Sequence, residues 1–245
     1  RGFSGECLVF ANSTLAKNHD DHPLSPAGRL RLVQLHHFPG HDRAGALSGA
    51  STLVLLDTNA YLRLAKRVRP MLGIAFGQKN YVLTILKDVE DEVHRSGALK
   101  FKFPWFDAED LAAERLAKQV RLSADEKGQL EAAQSVLRGW VLMNPVSYTT
   151  AGRSPPSPTD CRVLAFGQIR SAIVVTDDLG MHMLAKDFDI PVWHGHELLK
   201  KMLTAKLIDN EQVKRIFEAL ELNGDLTETW RQAKHTAFVK LFGKR

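Results

Sequence analysis

Two rhythms of apolar residues run along this chain, and the places where one gives way to the other define its elements. From Ser51 onward, short and almost wholly apolar runs alternate with stretches whose apolar residues recur every three or four positions. The runs "STLVLLD" (51–57), "NYVLTIL" (80–86), "AIVV" (172–175) and "IPVW" (190–193) read as strands buried on both faces. Between them, "TNAYLRLAKRV" places Ala60, Leu64 and Val68 at helical spacing, and "KDVEDEVHRS" reads as a short helix. Residues 107–121 and 124–142 read as two longer helices. The second opens with Ser123 and Glu126 at capping-box spacing and carries Leu130, Ala133, Leu137 and Trp140 on one face. The loop "TTAGRSPPSP" (149–158) leads into a helix from Thr159 to about Ile169. "LGMHMLAKDF", "GHELLKKML" and two amphipathic stretches around the "LNGD" break at Leu222–Asp225 complete the helices.

Strands that are apolar on both sides, alternating with helices, predict an α/β fold: one open parallel sheet flanked by helices in three layers. A helical hairpin is inserted before the third of these strands, and a helical tail follows the last helix of the alternation. Residues 1–48 differ. "NHDDHP", "LSPAG", "HHFPGHD" and "GALSGA" scatter turn formers with no sustained period, so this part reads as a flexible or loosely packed leader. The expected division is therefore a leader at 1–48, the α/β domain at 49–204 and a helical extension at 205–245.

Composition narrows the function classes only a little. A chain of 245 residues can bury a sizeable core without disulfides. Its two cysteines, Cys7 and Cys161, stand far apart with no partner motif, which fits a reducing compartment and argues against a Cys-based zinc site. No apolar run has the length of a membrane span, and the first residues are too weakly patterned for a secretory signal, so the expectation is a soluble, cytoplasmic protein without a membrane partner. The formal net charge of +5 suits a polyanionic partner.

The carboxylates are more informative. Ligands of open parallel sheets bind at the carboxyl ends of the strands. Asp57 ends the first strand, and Asp177 and Asp178 end "AIVV". Asp160 opens the helix leading into that strand, and the helix after the second strand carries Asp88, Glu90, Asp91 and Glu92. Each acid alone reads equally well as a helix cap or a favourable first-turn charge. Four segments delivering acids to one edge read differently, because clustered carboxylates repel unless they share protons or a cation. An all-oxygen set suits Mg²⁺ or Mn²⁺ better than zinc.

"LVLLDTNAYL", "VEDEV", "SPTDCRVLAFG" and "IVVTDDLGMHMLAKDFDIPV" resemble, in order, the four signature blocks of the PIN-domain ribonucleases, across roughly Leu53 to Leu203. The resemblance implies a metal-dependent endoribonuclease whose four-carboxylate Mg²⁺ or Mn²⁺ site hydrolyses RNA phosphodiester bonds. It selects Asp57, Glu92 (framed by Val89 and Val93), Asp160 and Asp178 (spaced from Thr176) as catalytic and metal-ligating residues, with Asp177 as an accessory acid. Thr58, Asn59, Thr176 and the loop residue Arg153 are the implied substrate contacts. Many small members of the family are toxins, so the implied partners include an antitoxin or other inhibitory protein and a second copy of the chain. The long insertion, the tail and the leader set this chain apart from those compact members. The alternative, from another class, is a non-catalytic RNA- or protein-binding module on the same fold.

Other signals weigh less. "HDDH" (19–22) lies in the leader, and His194 and His196 in "HGH" read as the turn that starts a helix. Haloacid-dehalogenase phosphatases need a second Asp two residues after the first, and Asn59 stands there. A receiver-type switch needs its acid pair after the first strand, whereas here it follows a late one. Arg63, Lys66, Arg67 and Arg69, with Lys100 and Lys102 in the aromatic run "KFKFPWF", are the candidate cations for RNA.

Overall fold

β1 (Thr52–Leu56) lies at the centre of a five-stranded sheet, because its run of four apolar residues leaves no face that could meet water. The computed structural model describes residues 51–150 and 152–244; the leader with its "HDDH" lies outside them. Strand order is β2 (Ala75–Phe76), β3 (Tyr81–Thr84), β1, β4 (Ile173–Val175), β5 (Val192–Trp193). β1 pairs in parallel with β3 and β4, in the register Leu53↔Val82 and Leu55↔Val174, and β4 pairs in parallel with β5. β2 is antiparallel to β3, so the sheet is mixed, with a parallel centre. The sequence pattern did not reveal this edge strand, since two residues are too few to show a period. Gly77 and Asn80, both with positive φ, make its hairpin.

Residue parity along each strand sorts side chains into two cores. Val54 and Leu56 of β1, Val175 of β4 and Trp193 of β5 face one core. Leu55, Val174 and Val192 face the other. The first is covered by α1 (Thr58–Leu64), α2 (Lys87–Arg95) and, further along the chain, α8 (Gly195–Thr204), α9 (Asn210–Leu222) and α10 (Glu228–His235). The second is covered by α5 (Ala124–Met143), α6 (Pro158–Ile169) and α7 (Leu179–Asp187). The helices of the 205–245 segment are thus not laid on the outside. Phe217, Trp230 and Phe238 sit with Val54 and Val175 in a single buried cluster.

The insertion follows its sequence closely. After the short α3 (Gly97–Lys102), the run at Pro104–Asp107 makes a 3₁₀ turn, and α4 (Glu109–Lys118) precedes α5. In this stretch Phe103 meets Trp105 edge to face, while Phe101 is exposed. Ser123 and Glu126 form the expected reciprocal cap of α5 at 2.9 and 3.2 Å. One side of α5 then pins the proline-rich loop: Gln134 donates to the Pro158 carbonyl at 2.9 Å and Arg138 to the Pro156 carbonyl at 3.0 Å. This fixes where α6 begins, and with it the position of Asp160.

No helix among the described residues is long and apolar enough to cross a membrane. α6 lies so close to the sheet that a Cβ on Gly167 would stand 2.7 Å from Val174 Cγ2 and 3.1 Å from Ile190 Cγ2. Gly167→Ala is therefore expected to destabilise the fold by about 1–3 kcal/mol, the clash outweighing the better helix propensity. Urea denaturation measures this, and a variant as stable as the parent would contradict the packing.

Candidate functional site

The chain runs from β1 outward to β3 and then returns to β4 on the other side of β1. This reversal opens a crevice at the carboxyl ends of β1 and β4. Asp57 and the pair Asp177–Asp178 stand at those two ends, and Asp57 N–H donates to the Val175 carbonyl at 3.0 Å. α2, which follows β3, and α6, which leads into β4, bring the other two acids in. Glu92 on α2 accepts from Thr58 Oγ1 at 2.5 Å. Asp160, in the first turn of α6, lies close enough to Glu92 and Asp178 for their charges to raise its pKa. Asp57 in turn feels Asp177 and Asp160. The four acids singled out from the sequence are therefore neighbours.

Three of them are also helix caps, so the capping reading holds as well for Asp57, Asp160 and Asp178. Asp57 caps α1 through Oδ1, accepting from Ala60 N–H at 2.5 Å. Asp178 caps α7 through Oδ1, accepting from Met181 N–H at 2.9 Å. Asp160 completes a capping box, its Oδ2 accepting from Ser157 N–H at 2.8 Å. These caps occupy one oxygen of each carboxylate. Among the described residues nothing donates to Asp160 Oδ1, Asp178 Oδ2 or Glu92 Oε1. Caps fix the carboxylates while leaving an oxygen of each available.

Electrostatics separate these acids from Asp177. Burial pushes Asp57 up to about 7, more than hydrogen bonds from Thr176 and Ala60 can offset, and no cation is among its partners. Burial also raises Asp160. For Asp177 burial works in the same direction but is overcome by His194, Arg63, Trp230 and the Gly195 N–H, which hold it down to about 2. Arg63 Nη1 lies 2.6 Å from Asp177 Oδ2, Trp230 Nε1 donates to the same oxygen at 2.8 Å, and Gly195 N–H donates to Oδ1 at 3.0 Å. Asp177 is a compensated carboxylate; Asp57 and Asp160 are not. Buried acids without a counter-charge create the demand for a cation that Mg²⁺ or Mn²⁺ would meet, and their oxygen donors suit those ions. No three of the four carboxylates bring oxygens within 4.8 Å of one another.

The other residues fall variously. Thr176 is fully buried, and its hydroxyl accepts from Asp178 N–H at 3.1 Å, so the Thr-x-Asp spacing builds the turn that presents Asp178. Asn59 is exposed in the first turn of α1, and Arg153 is exposed in the loop. Of the candidate RNA cations, Arg63 is taken up by Asp177, Arg69 by Asp110 and Lys102 by Asp225, whereas Lys66 and Lys100 are exposed and have no ion-pair partner among the described residues. Glu90 pairs with the buried Arg115 at 3.3 Å, which separates it from Glu92. His194 precedes α8 and His196 lies in its first turn, as expected of a helix start. No local pattern signals the clamp on Asp177: Arg63 and Trp230 are 114 and 53 residues away from it.

No family model matches this chain, and no curated protein matches it. Among solved structures, FitAcB from Neisseria gonorrhoeae is similar at 14% sequence identity, over 58% of this chain and 97% of that one, with a TM-score of 0.37. A likeness at that level carries no argument, and function has to be argued from the crevice itself.

Two measurements check the electrostatics. The folded-state pKa of Asp57 lies above its ordinary 3.8, so its contribution to stability is full below about pH 4 and is lost as pH rises through about 7. Chelator-treated protein should lose on the order of a few kcal/mol across this window, and Asp57→Asn should flatten the slope. An unchanged slope in the variant would refute the assignment. Arg63→Ala leaves Asp177 buried without its cation and should cost about 3–5 kcal/mol in chemical denaturation.

Proposed function

We propose that this chain is a metal-dependent endoribonuclease acting through Asp57, Glu92, Asp160 and Asp178. The observation that carries the reading is the meeting of these four carboxylates, from four separate segments, at the β1–β4 crevice, with Asp57 buried, Asp160 half-buried and neither beside a counter-cation. That is a costly arrangement for a purely structural purpose, since caps need not be buried beside one another.

Within this reading a bound Mg²⁺ or Mn²⁺ supplies the Lewis acidity that activates water for in-line attack and stabilises charge on the phosphorane and the leaving oxygen. The chain contributes position and charge. Asp57 is held at the strand end by its cap to α1 and is the most deeply buried of the four. Asp160 and Asp178 are aimed by their caps, and Thr58 orients Glu92. No carboxylate needs to act as a nucleophile. The exposed Asn59, Lys66 and Arg153 are available for the RNA backbone. An inhibitory protein that covers the crevice, or a second copy of the chain, fits the same reading.

Wild type should cleave RNA in the presence of Mn²⁺ or Mg²⁺ and not after chelation. Asp57→Asn and Asp160→Asn should each lower the rate by at least about 100-fold, because loss even of residues behind metal ligands costs up to that much. Asp178→Asn should behave likewise, and Asp177→Asn should act mainly through stability. Equal cleavage by wild type and the Asp57 and Asp160 variants would sink the site. An inert wild type that still binds RNA would favour the non-catalytic binding module.

A further inference from the structure

Behind the carboxylate crevice, the described residues contain a second and chemically different set of metal-ligating side chains. Asp177 in the β4–α7 turn, His194 just before α8 and His196 in its first turn each offer a ligand atom, all within 4.8 Å of one another. We propose that Asp177, His194 and His196 form a site for a transition-metal ion of the Zn²⁺ class, separate from the Mg²⁺/Mn²⁺ edge, with further coordination positions open to water or an anion.

The spacing suits one ion. Bonds of about 2.0–2.1 Å place two ligands of a tetrahedral zinc about 3.4 Å apart. His194 Nδ1 stands 3.5 Å from Asp177 Oδ1, too long for a good hydrogen bond and close to this value. Among the described residues the Nδ1 atom of His196 is buried without a hydrogen-bond partner, and the buried Nδ1 of His194 faces only Asp177, beyond good hydrogen-bond length. Buried polar atoms are rarely left unpaired without a reason.

The surroundings resemble the support of a metal site. Arg63 and Trp230 both bond Asp177 Oδ2, fixing the carboxylate while Oδ1, with only the Gly195 N–H, keeps a lone pair. His182 stacks on His194 at 3.9 Å, and its own Nε2 is bonded to the Thr176 carbonyl at 2.9 Å, so one face of the cluster is walled off. Two imidazoles and one carboxylate favour Zn²⁺, Co²⁺ or Ni²⁺, whereas the neighbouring all-oxygen edge favours hard cations. The charge of Arg63 opposes a second cation; Glu197, bonded to His194 N–H at 2.7 Å and felt by His196, offsets it. An ion here would tie the turn that carries Asp178 to the start of α8.

Cobalt titration of the tag-free full chain, followed by visible absorption, tests this without any nuclease assay. The expected result is one equivalent of Co²⁺ with tetrahedral d–d bands, displaced by Zn²⁺ and not by Mg²⁺. His196→Ala and His194→Gln should each weaken Co²⁺ binding by at least about tenfold, with circular dichroism confirming that they fold. Asp57→Asn should bind Co²⁺ as wild type does, which separates this site from the crevice. No cobalt bands in wild type, or undiminished binding in folded His196→Ala, would overturn the proposal. Its failure would leave the ribonuclease reading standing, and the converse also holds.

Discussion

Burying a carboxylate at a strand end with no cation beside it is the constraint on which the rest of this structure depends. Asp57 cannot move outward, because β1 is the central strand and α1 starts from the aspartate's own cap. It cannot be neutralised by the nearby arginine either, because Arg63 is committed to Asp177. The protein is left with a protonatable acid near neutral pH or a place for a metal ion. Asp160 is pushed the same way, its pKa raised first by burial and further by the charges of Glu92 and Asp178.

The two adjacent aspartates after β4 show how finely this is divided. Asp177 turns toward the core covered by α8 and α10, where Arg63, Trp230 and Gly195 satisfy it. Asp178 caps α7 and keeps an oxygen for the crevice. Neighbouring residues on one turn thus serve opposite sides of the sheet, one closing the core and the other facing the edge. The tail takes part directly, since Trp230 belongs to α10 and is wholly buried against this turn. The segment at 205–245 is in this sense coupled to the crevice rather than appended to it.

Much of the fold could be read from the sequence because its signals are local. Apolar runs such as "STLVLLD" and "AIVV" have no polar face, so they must be central strands, and the Ser123–Glu126 spacing identifies the start of α5 within one turn. The two-residue β2 carried no period and was missed. Asp57, Asp160 and Asp178 were legible for the same reason as their caps, since each stands at an element boundary, whereas Glu92 lies within α2 and was marked only by its frame of Val89 and Val93.

The sequence by itself determined the order of the longer elements, the parallel centre of the sheet and the three boundaries at which Asp57, Asp160 and Asp178 stand, since all of these follow from periods and caps within a few residues. Only the tertiary structure decided which acids are compensated. The spacing from Thr176 set Asp178 apart from Asp177 but said nothing of their charge balance, because the groups that satisfy Asp177, Arg63, Trp230 and Gly195, are brought in by α1, α10 and α8 from distant parts of the chain. The same holds for His194 and His196, which locally are only a helix start and become a metal-sized cluster once Asp177 is placed beside them. Charge compensation is a property of packing, and packing is set between segments.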